Sequence, residues 1–214
     1  MALTAAASAT GGATGRCWWV PADDLLYRNY HDTEWGFPQA NDTRLFEKLC
    51  LEGFQAGLSW RTVLGKRERF REAFAGFDIA AVAGFGEAEV GWMLADSGLI
   101  RHRGKITAAI ANAAVAQRLQ ADFGSLAAYV WRYQPLAHPA DYSVEAVKQR
   151  TTSPAATRLA ADLRARGWRF LGPTSAYAFA QAMGMVNDHV EGCPVRAQAT
   201  AARAAFRVPS GLVP

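Results

Sequence analysis

Apolar residues and one acid share a helical stripe early in the chain. At 100° per residue, Leu45, Leu49, Glu52 and Ala56 fall on one face of a helix, within a stretch that is otherwise uncharged from Leu49 onward. A solvated glutamate would lie on the opposite face, and burial of a carboxylate is costly unless it is paired or its pKa rises. Glu52 is therefore a candidate functional residue. The alternative is a core glutamate satisfied by a backbone amide or an arginine, and the pattern alone does not decide between them.

Capping residues and glycines divide the remaining chain into further helices. Asn41-Asp42-Thr43 caps the helix that carries Glu52, Ser153-Pro154 starts a later one, and Thr174 caps another. Residues 134–147 are predicted to be an irregular link, and the segment after Cys193 a weak helix and a tail. No strand alternation and no internal repeat is found, and the sequence therefore predicts an all-α fold. Predicted helices span residues 44–56, 61–74, 78–82, 87–96, 105–120, 123–133, 153–166 and 174–183.

Length and composition favour a single globular domain. The chain has 214 residues, of which half are hydrophobic and a fifth are charged. Residues 1–15 are rich in Ala, Gly, Ser and Thr, which predicts a disordered tail, followed by one domain at 16–200 and a C-terminal tail at 201–214. No run approaches the ~18 apolar residues of a membrane span, and the N-terminus lacks the features of a secretory signal.

Charge and cysteine usage add two expectations. The formal net charge of +4 mildly favours a polyanionic partner. Only three cysteines are present, Cys17, Cys50 and Cys193. An odd, low count in a chain without an export signal favours reduced thiols in the cytoplasm.

Two cysteine–histidine pairs lie at opposite ends of the chain. Cys17 and His31 are fourteen residues apart, and His189 and Cys193 are four apart. Together they form a Cys₂His₂ set, the ligand combination that suits a closed, structural Zn²⁺ site. The spacing fits no zinc-finger pattern, and on spacing alone two core cysteines and two surface histidines are favoured.

Two segments are candidates for contact with DNA phosphates. The stretch 167–173 joins two predicted helices through a short glycine-bounded turn, as in the helix-hairpin-helix element, and Arg164, Arg166 and Arg169 flank it. An ordinary αα-corner explains the same pattern equally well. The connector 101–105, with the sequence RHRGK, is the second candidate, and its alternative is a solvated basic loop.

Aromatic residues bracket the acid in sequence. Tyr27, Tyr30, Trp35 and Trp60 surround Glu52 along the chain. Most tryptophans belong to protein cores, yet an acid within an aromatic cage suits a flat, cationic ligand. This feature favours an enzyme over a DNA-binding module without catalytic activity, because a phosphate-binding protein has no use for Glu52.

Five motifs in order resemble 3-methyladenine DNA glycosylase I over most of the chain. The chain departs from the family pattern in three places: an extra N-terminal tail of about fifteen residues, a Cys17–His31 spacing one residue longer than expected, and Phe54, which stands where the pattern has a polar residue. The motifs are residues 17–20 (CWWV), 30–36 (YHDTEWG), 51–60 (LEGFQAGLSW), 101–106 (RHRGKI) and 186–193 (VNDHVEGC).

The resemblance implies a helix-hairpin-helix DNA glycosylase that excises N3-methyladenine from alkylated double-stranded DNA. It implies that Glu52 and Tyr30 read the flipped base and that Trp60 stacks on it. Glu52 is also the candidate catalytic residue, and the sequence leaves open whether it reads the base or acts in catalysis as well. We expect a monomeric, monofunctional enzyme that uses water and leaves an abasic site, since no lysine is suited to a Schiff base. A zinc-dependent hydrolase is disfavoured, because four protein ligands leave no open metal position. Asp188, a rival acid, is expected to have a structural role.

Each implied site residue has an assigned role. The expected base-binding residues are Tyr27, Tyr30, Trp35, Gln55 and Trp60, the expected DNA contacts are Gly57, Leu58, Arg101, Arg103, Lys105, Gly172 and Thr174, and the expected structural zinc ligands are Cys17, His31, His189 and Cys193.

Overall fold

The computed structural model describes residues 15–136 and 139–211, and every regular element in these ranges is helical. The all-α prediction is confirmed. None of the helices described is long and apolar enough to cross a membrane. The helices are α1 (Leu25–Thr33), α2 (Asp42–Gln55), α3 (Trp60–Gly65), α4 (Arg67–Ala73), α5 (Ile79–Ala83), α6 (Glu87–Ala95), α7 (Arg103–Phe123), α8 (Leu126–Trp131), α9 (Val144–Gln149), α10 (Pro154–Ala165), α11 (Pro173–Ala182) and α12 (Val195–Ala205), with a 3-10 turn at Ala75–Phe77.

Helix α2 is the central element of the fold. The Asn41 side chain caps it by accepting a hydrogen bond from the backbone amide of Arg44, as the sequence predicts. Every residue from Leu45 to Phe54 is buried, and the helix packs against α7, α8 and α11. A helix surrounded on all sides has no solvated face. The position of Glu52 on the apolar stripe therefore does not by itself distinguish it, because the other faces of α2 are buried as well. Ala56, which was expected on the same stripe, lies beyond the end of the helix and is exposed.

Several predicted element boundaries were wrong. The predicted helix 61–74 is two helices, α3 and α4, that meet at Lys66. The N-cap of helix α11 lies two residues earlier than predicted: it is Gly172, and Thr174 lies within the helix. Helix α1 forms where no helix was predicted, and α9 begins within the predicted irregular link 134–147. Each is capped locally, α1 by Asp24 and α9 by Ser143.

The C-terminal boundary also differs from the prediction. Helix α12 continues through the predicted domain end at residue 200 and stops at Ala205. The ring of Phe206 then packs against Trp131, with the ring centroids 4.6 Å apart. The first residues of the predicted tail therefore belong to the folded unit. The predicted N-terminal tail lies outside the described residues, except for Gly15.

Two hydrophobic clusters form the interior. The larger is built on α2, α7 and the helices around them. The smaller joins the N-terminal segment to the C-terminal one and includes Cys17, Tyr30 and Val190. Trp60 and Met183 contact both clusters. The boundary between the two clusters is where the candidate site lies.

Candidate active site and metal centre

A cavity of about 250 Å³ opens between the two clusters. The structure brings together all six residues that were predicted to bind or process a base, although they come from α1, α2, α3 and the loop after α1. The predicted residues in the cavity wall are Tyr27, Tyr30, Trp35, Glu52, Gln55 and Trp60.

Glu52 is buried and paired with a lysine of its own helix. Its side chain retains only 3% exposure. One carboxylate oxygen lies 2.8 Å from the Nζ atom of Lys48, one helical turn earlier. The alternatives considered from the sequence, a backbone amide or an arginine, did not include this lysine, and the surroundings of Glu52 are not uncharged. The signal was present in the sequence as a lysine four residues before the acid.

Lys48 also contacts two of the aromatic residues. Its ammonium donates a hydrogen bond to the Tyr30 hydroxyl at 3.1 Å and lies 3.3 Å from the ring centroid of Trp60. Burial lowers the pKa of Lys48, and the Glu52 carboxylate opposes that shift. Burial, followed by the charge of Glu52, raises the pKa of Tyr30 well above its ordinary value. Tyr30 therefore remains a neutral phenol.

Aromatic rings form a large part of the cavity wall: six of its fourteen residues are aromatic. Tyr30 and Trp60 meet with centroids 5.3 Å apart, and Trp19 meets Trp35 at 5.1 Å and Tyr27 at 5.2 Å. The indole nitrogen of Trp60 is buried and has no hydrogen-bond partner among the described residues. The cavity therefore offers flat apolar surfaces.

Eight residues of the cavity wall were not predicted: Trp18, Trp19, Lys48, Val147, Lys148, Arg150, Ala178 and Gln181. Lys148 and Arg150 come from α9 and its C-cap, where no helix was predicted. Ala178 and Gln181 come from α11. No spacing relative to Glu52 could have identified these last four residues, because only packing brings these helices to the cavity.

Asp188 supports the cavity wall from behind. Its carboxylate is buried and accepts hydrogen bonds from Tyr177 at 2.6 Å, Gln181 at 2.8 Å and Arg150 at 2.7 Å. Gln181 and Arg150 line the cavity, whereas Asp188 is not part of its wall. Because both of its oxygens are already bonded, this acid is suited to fixing its neighbours.

Gly57 and Leu58 project beyond the end of α2. Gly57 has φ of +80°, a conformation that favours glycine, and Leu58 is 41% exposed. They line a shallow depression that shares Glu52 and Gln55 with the main cavity. Thr174 also lines this depression. The exposed leucine and the predicted hairpin residue are thus on the same side of the protein as the cavity.

Lys105 is not placed to contact a phosphate, contrary to the prediction. Its side chain is buried, and its ammonium donates hydrogen bonds to the carbonyl oxygens of Phe54, at 2.9 Å, and Ala56, at 2.5 Å. These carbonyls belong to the last turn of α2, where no intrahelical partner is available. Lys105 therefore holds the loop that presents Leu58.

The other predicted DNA contacts remain on the surface. Arg101 and Arg103 are exposed, and Arg103 pairs with the exposed Glu87 at 2.7 Å. Gly172 precedes α11 at the end of a short turn that follows α10. That turn packs on α2, where a Cβ atom at Gly53 would lie 3.3 Å from Phe170.

Phe54, which replaces a polar residue of the family pattern, is buried in the core. Its ring centroid lies 4.5 Å from that of Phe70, and it is not part of the cavity wall. The replacement therefore does not remove a contact from the base site.

Cys17, His31, His189 and Cys193 converge on one point. Their candidate ligand atoms all lie within 4.8 Å of one another, and all four residues are buried. Each sulfur lies 3.6–3.7 Å from the Nδ1 atom of His189, and that atom lies 3.1 Å from Nε2 of His31. These separations match a tetrahedral set around one ion with metal–nitrogen distances of about 2.0 Å and metal–sulfur distances of about 2.3 Å. The geometry overturns the preference drawn from spacing alone.

The remaining ring nitrogens are also bonded. His31 Nδ1 lies 2.8 Å from Asp32, which Arg16 binds in turn, and His189 Nε2 lies 3.0 Å from the backbone oxygen of Trp35. Such outer partners orient histidines that bind metal. A hydrogen bond from Cys17 lowers the pKa of Cys193, which makes this thiol easy to deprotonate. The cluster has the chemistry of a closed metal site.

Solved structures with the same arrangement of helices define the class. The chain is similar to a crystal structure of 3-methyladenine DNA glycosylase I, with a TM-score of 0.78 and 44% identity over 84% of this chain and 98% of that one. It is also similar to the Staphylococcus aureus enzyme of that name, with a TM-score of 0.77, 32% identity, and coverage of 82% and 93%. That second structure concerns the structural basis of 3-methyladenine recognition by the Staphylococcus aureus enzyme. The fold is that of a helical DNA glycosylase.

Sequence relatives give the particular family. The family model described as methyladenine glycosylase matches residues 19–197. DNA-3-methyladenine glycosylase 1 of Escherichia coli K12 is 43% identical over 178 residues, which cover 83% of this chain and 95% of that protein. The Haemophilus influenzae enzyme is 40% identical over 186 residues, covering 86% and 98%. The chain belongs to the methyladenine glycosylase family.

Proposed function

We propose that this protein removes N3-methyladenine from alkylated double-stranded DNA by hydrolysing the N-glycosidic bond of a base flipped into the cavity. One observation carries the proposal: a buried carboxylate, Glu52, lies in the wall of a small cavity built from aromatic rings. A volume of about 250 Å³ is at the low end for ligand pockets and suits one flat base. The names of the related proteins support the same substrate.

The chemistry of the damaged base fits this cavity. Methylation at N3 gives adenine a positive charge, which weakens the glycosidic bond and makes the base a good leaving group. The ring faces attract positive charge, and Glu52 supplies an acceptor and a negative charge beside the base. Flipping costs least for a damaged base. Tyr27, Tyr30, Trp35, Gln55 and Trp60 would hold the base.

The enzyme is proposed to be monofunctional, with water as the nucleophile and an abasic site as the product. The amine of Lys48 is the lysine nitrogen nearest to Glu52, yet it is already engaged by Glu52, Tyr30 and Trp60. That engagement disfavours attack on the sugar. Borohydride treatment during turnover should trap no covalent protein–DNA complex, and a trapped complex would contradict this part of the proposal.

The DNA is proposed to lie across the side of the protein that carries Leu58. Leu58 would enter the base stack with Gly57 and fill the space left by the flipped base, because an exposed apolar wedge has this effect in DNA-bending proteins. Arg101, Arg103 and the turn before α11, with Gly172 and Thr174, would contact phosphates.

The Cys₂His₂ cluster is proposed to bind one structural Zn²⁺ per chain. Two thiols and two imidazoles at tetrahedral separations are the donors that zinc prefers. The ion would join α1 to the segment before α12. Metal analysis of the purified protein should find about one zinc per chain, and a metal-free, fully folded protein would contradict the assignment.

The remaining proposals concern context. We propose a single catalytic domain that acts as a monomer in the cytoplasm, where three free cysteines remain reduced. Light scattering of the purified protein should give the mass of one chain, 23.2 kDa. A stable dimer would contradict the monomer.

Base release from alkylated DNA tests the central proposal. The unaltered protein should release free 3-methyladenine, and Glu52→Gln should lower the single-turnover rate at least about 100-fold. Glutamine is preferable to alanine because it keeps a hydrogen-bonding partner beside buried Lys48. Glu72→Gln is the matched control, since Glu72 lies exposed on α4. Unchanged release by Glu52→Gln would remove Glu52 from its catalytic role.

A further inference from the structure

Lys48 lines the cavity, yet the proposed reaction does not use it. Its side chain is 7% exposed. The ammonium contacts three groups of the base site at once: a carboxylate oxygen of Glu52 at 2.8 Å, the hydroxyl of Tyr30 at 3.1 Å and the ring of Trp60 at 3.3 Å from its centroid. A charged side chain inserted between the proposed catalytic residue and the proposed base-binding residues must influence how a base is recognised.

The ammonium fixes the direction of one hydrogen bond. Lysine can donate hydrogen bonds but cannot accept them. The Tyr30 oxygen must therefore accept from Lys48. The phenol has one hydrogen of its own, and no residue in the described part of the chain accepts it. That hydrogen is available to a ligand, so Tyr30 acts towards the cavity as a donor.

The same ammonium leaves Glu52 as an acceptor. One carboxylate oxygen is held by Lys48, and within residues 15–136 and 139–211 no hydrogen bond is made to the other. A carboxylate accepts hydrogen bonds and has no proton of its own to donate. Lys48 thus sets one donor and one acceptor side by side, both in contact with the same nitrogen atom.

This pattern distinguishes the two purines. Adenine carries a ring-nitrogen acceptor beside its N6 amino donor, whereas guanine carries the acceptor O6 at the corresponding position. The Tyr30 donor and the Glu52 acceptor match adenine, while O6 of guanine would face a carboxylate. A base that leaves buried polar groups unpaired is rejected strongly.

We propose that Lys48 is a positioning residue that gives the cavity its preference for methylated adenine over methylated guanine. This inference rests on the proposed function, because it concerns the base that the enzyme releases. Without an obligate donor at position 48, the Tyr30 hydroxyl can turn to donate to Glu52, which occupies both groups and removes the pattern. Lys48 acts through Tyr30 and Glu52 and is not itself assigned a catalytic step.

Four proteins test the inference: the unaltered chain, Lys48→Met, Lys48→Gln and Lys48→Arg. Single-turnover release of 3-methyladenine and 3-methylguanine is measured from the same methylated DNA. The ratio of the two rates should fall at least tenfold in Lys48→Met and Lys48→Gln. In Lys48→Arg the ratio should fall less than in Lys48→Met or Lys48→Gln, because a guanidinium is also a donor without acceptor atoms. Lys66→Met is the control, since Lys66 bonds backbone carbonyls far from Glu52 in sequence.

Binding of free bases gives a readout that does not depend on catalysis. Calorimetry with 3-methyladenine and 3-methylhypoxanthine compares an amino group with an oxygen at position 6 and leaves the methyl group unchanged. The unaltered protein should prefer 3-methyladenine, and Lys48→Gln should lose at least tenfold of that preference. If Lys48→Met does not fold, the comparison of Lys48→Gln with Lys48→Arg carries the test.

The outcomes separate this inference from the proposed function. An unchanged rate ratio and an unchanged binding preference in folded Lys48→Gln would overturn the role of Lys48, while release of 3-methyladenine would still support the enzyme. If the unaltered protein releases neither base, the proposed function is wrong and the inference fails with it.

Discussion

Two neighbouring residues of α1, Tyr30 and His31, face two different kinds of site. Tyr30 lines a cavity in which two polar groups have no partner among the described residues: its own hydroxyl hydrogen and one Glu52 oxygen. His31 belongs to a cluster in which the outer ring nitrogens are bonded, to Asp32 and to a backbone oxygen. Unused polar atoms are costly in a protein interior and are kept where a ligand completes them. The unused polar atoms of the cavity fit the proposed binding and release of a base, and the bonded ring nitrogens of the cluster fit the proposed permanent metal.

The two sites also depend on each other. Trp35 lines the cavity, and its ring packs against His189 with centroids 4.7 Å apart. His31 and His189 approach each other from opposite ends of the chain. A metal at the cluster would therefore fix the aromatic wall of the cavity as well as the chain termini.

We expect the largest effect from removing one ligand of the Cys₂His₂ cluster. Cys193→Ala should abolish metal binding and lower the free energy of unfolding by more than about 5 kcal/mol, because metal affinity contributes directly to folding. Metal analysis and urea denaturation measure both quantities. Cys50→Ala is the control, since Cys50 is buried but lies outside the cluster. Equal losses of stability in the two variants would show that the cluster is an ordinary part of the hydrophobic core. The difference between the cluster and the cavity would then disappear.

Glu34→Gln should have the next largest effect, because Glu34 anchors the loop that carries Trp35. Burial would raise the pKa of Glu34, but hydrogen bonds and charge from Arg67 and Arg44 outweigh burial and lower it. The ion pairs therefore stabilise the protein above the unfolded pKa of 4.5, and this contribution is lost as the pH falls through the lower folded value. At pH 7 we expect a loss of about 2 kcal/mol.

Denaturation of this variant at several pH values provides the test. The difference in unfolding free energy between the unaltered protein and Glu34→Gln should be largest above pH 5 and shrink towards pH 3. Glu72→Gln, at an exposed pair, should change stability by less than about 0.5 kcal/mol. A difference that grows on acidification would contradict the assigned direction of the pKa shift.

Leu58→Ala tests the proposed DNA-binding side of the protein, next to the cavity, without disturbing the fold. Because Leu58 is 41% exposed, its loss should change stability by less than about 0.5 kcal/mol. Affinity for DNA with an abasic site should fall by about 1–2 kcal/mol, since the wedge no longer fills the gap. Titration of labelled DNA measures this loss. Leu25→Ala, at a leucine that is 65% exposed, should leave the affinity unchanged, and equal losses in both variants would remove Leu58 from the interface.

The smallest effect concerns a single phosphate contact. Arg101→Ala should reduce the slope of log affinity against log salt concentration by about 1, because one fewer counterion is released from the DNA. Binding of undamaged duplex at several salt concentrations gives the slope. Arg207→Ala, at an exposed arginine after α12, should leave it unchanged. The same slope in Arg101→Ala as in the unaltered protein would exclude Arg101 from the DNA surface.

The sequence alone determined the features that depend on short distances along the chain. Helical periodicity and capping residues such as Asn41 and Ser153 predicted an all-α fold. The resemblance carried by the five motifs predicted which side chains meet: the six predicted base-site residues line one cavity, and the four predicted metal ligands meet at one point. Spacing alone did not predict the cluster, because its two cysteine–histidine pairs lie far from each other along the chain.

Only the tertiary structure decided which partner each buried charge takes. Lys48 and Glu52 are adjacent on a helix in sequence, but their pairing matters because α2 is surrounded on every side. The sequence predicts that Lys105 contacts a phosphate, because it lies in a basic connector. In the folded chain its ammonium instead donates hydrogen bonds to the free carbonyls at the end of α2. Desolvation sets the cost of an unpaired charge, and the extent of desolvation is a property of the packed chain rather than of any local pattern.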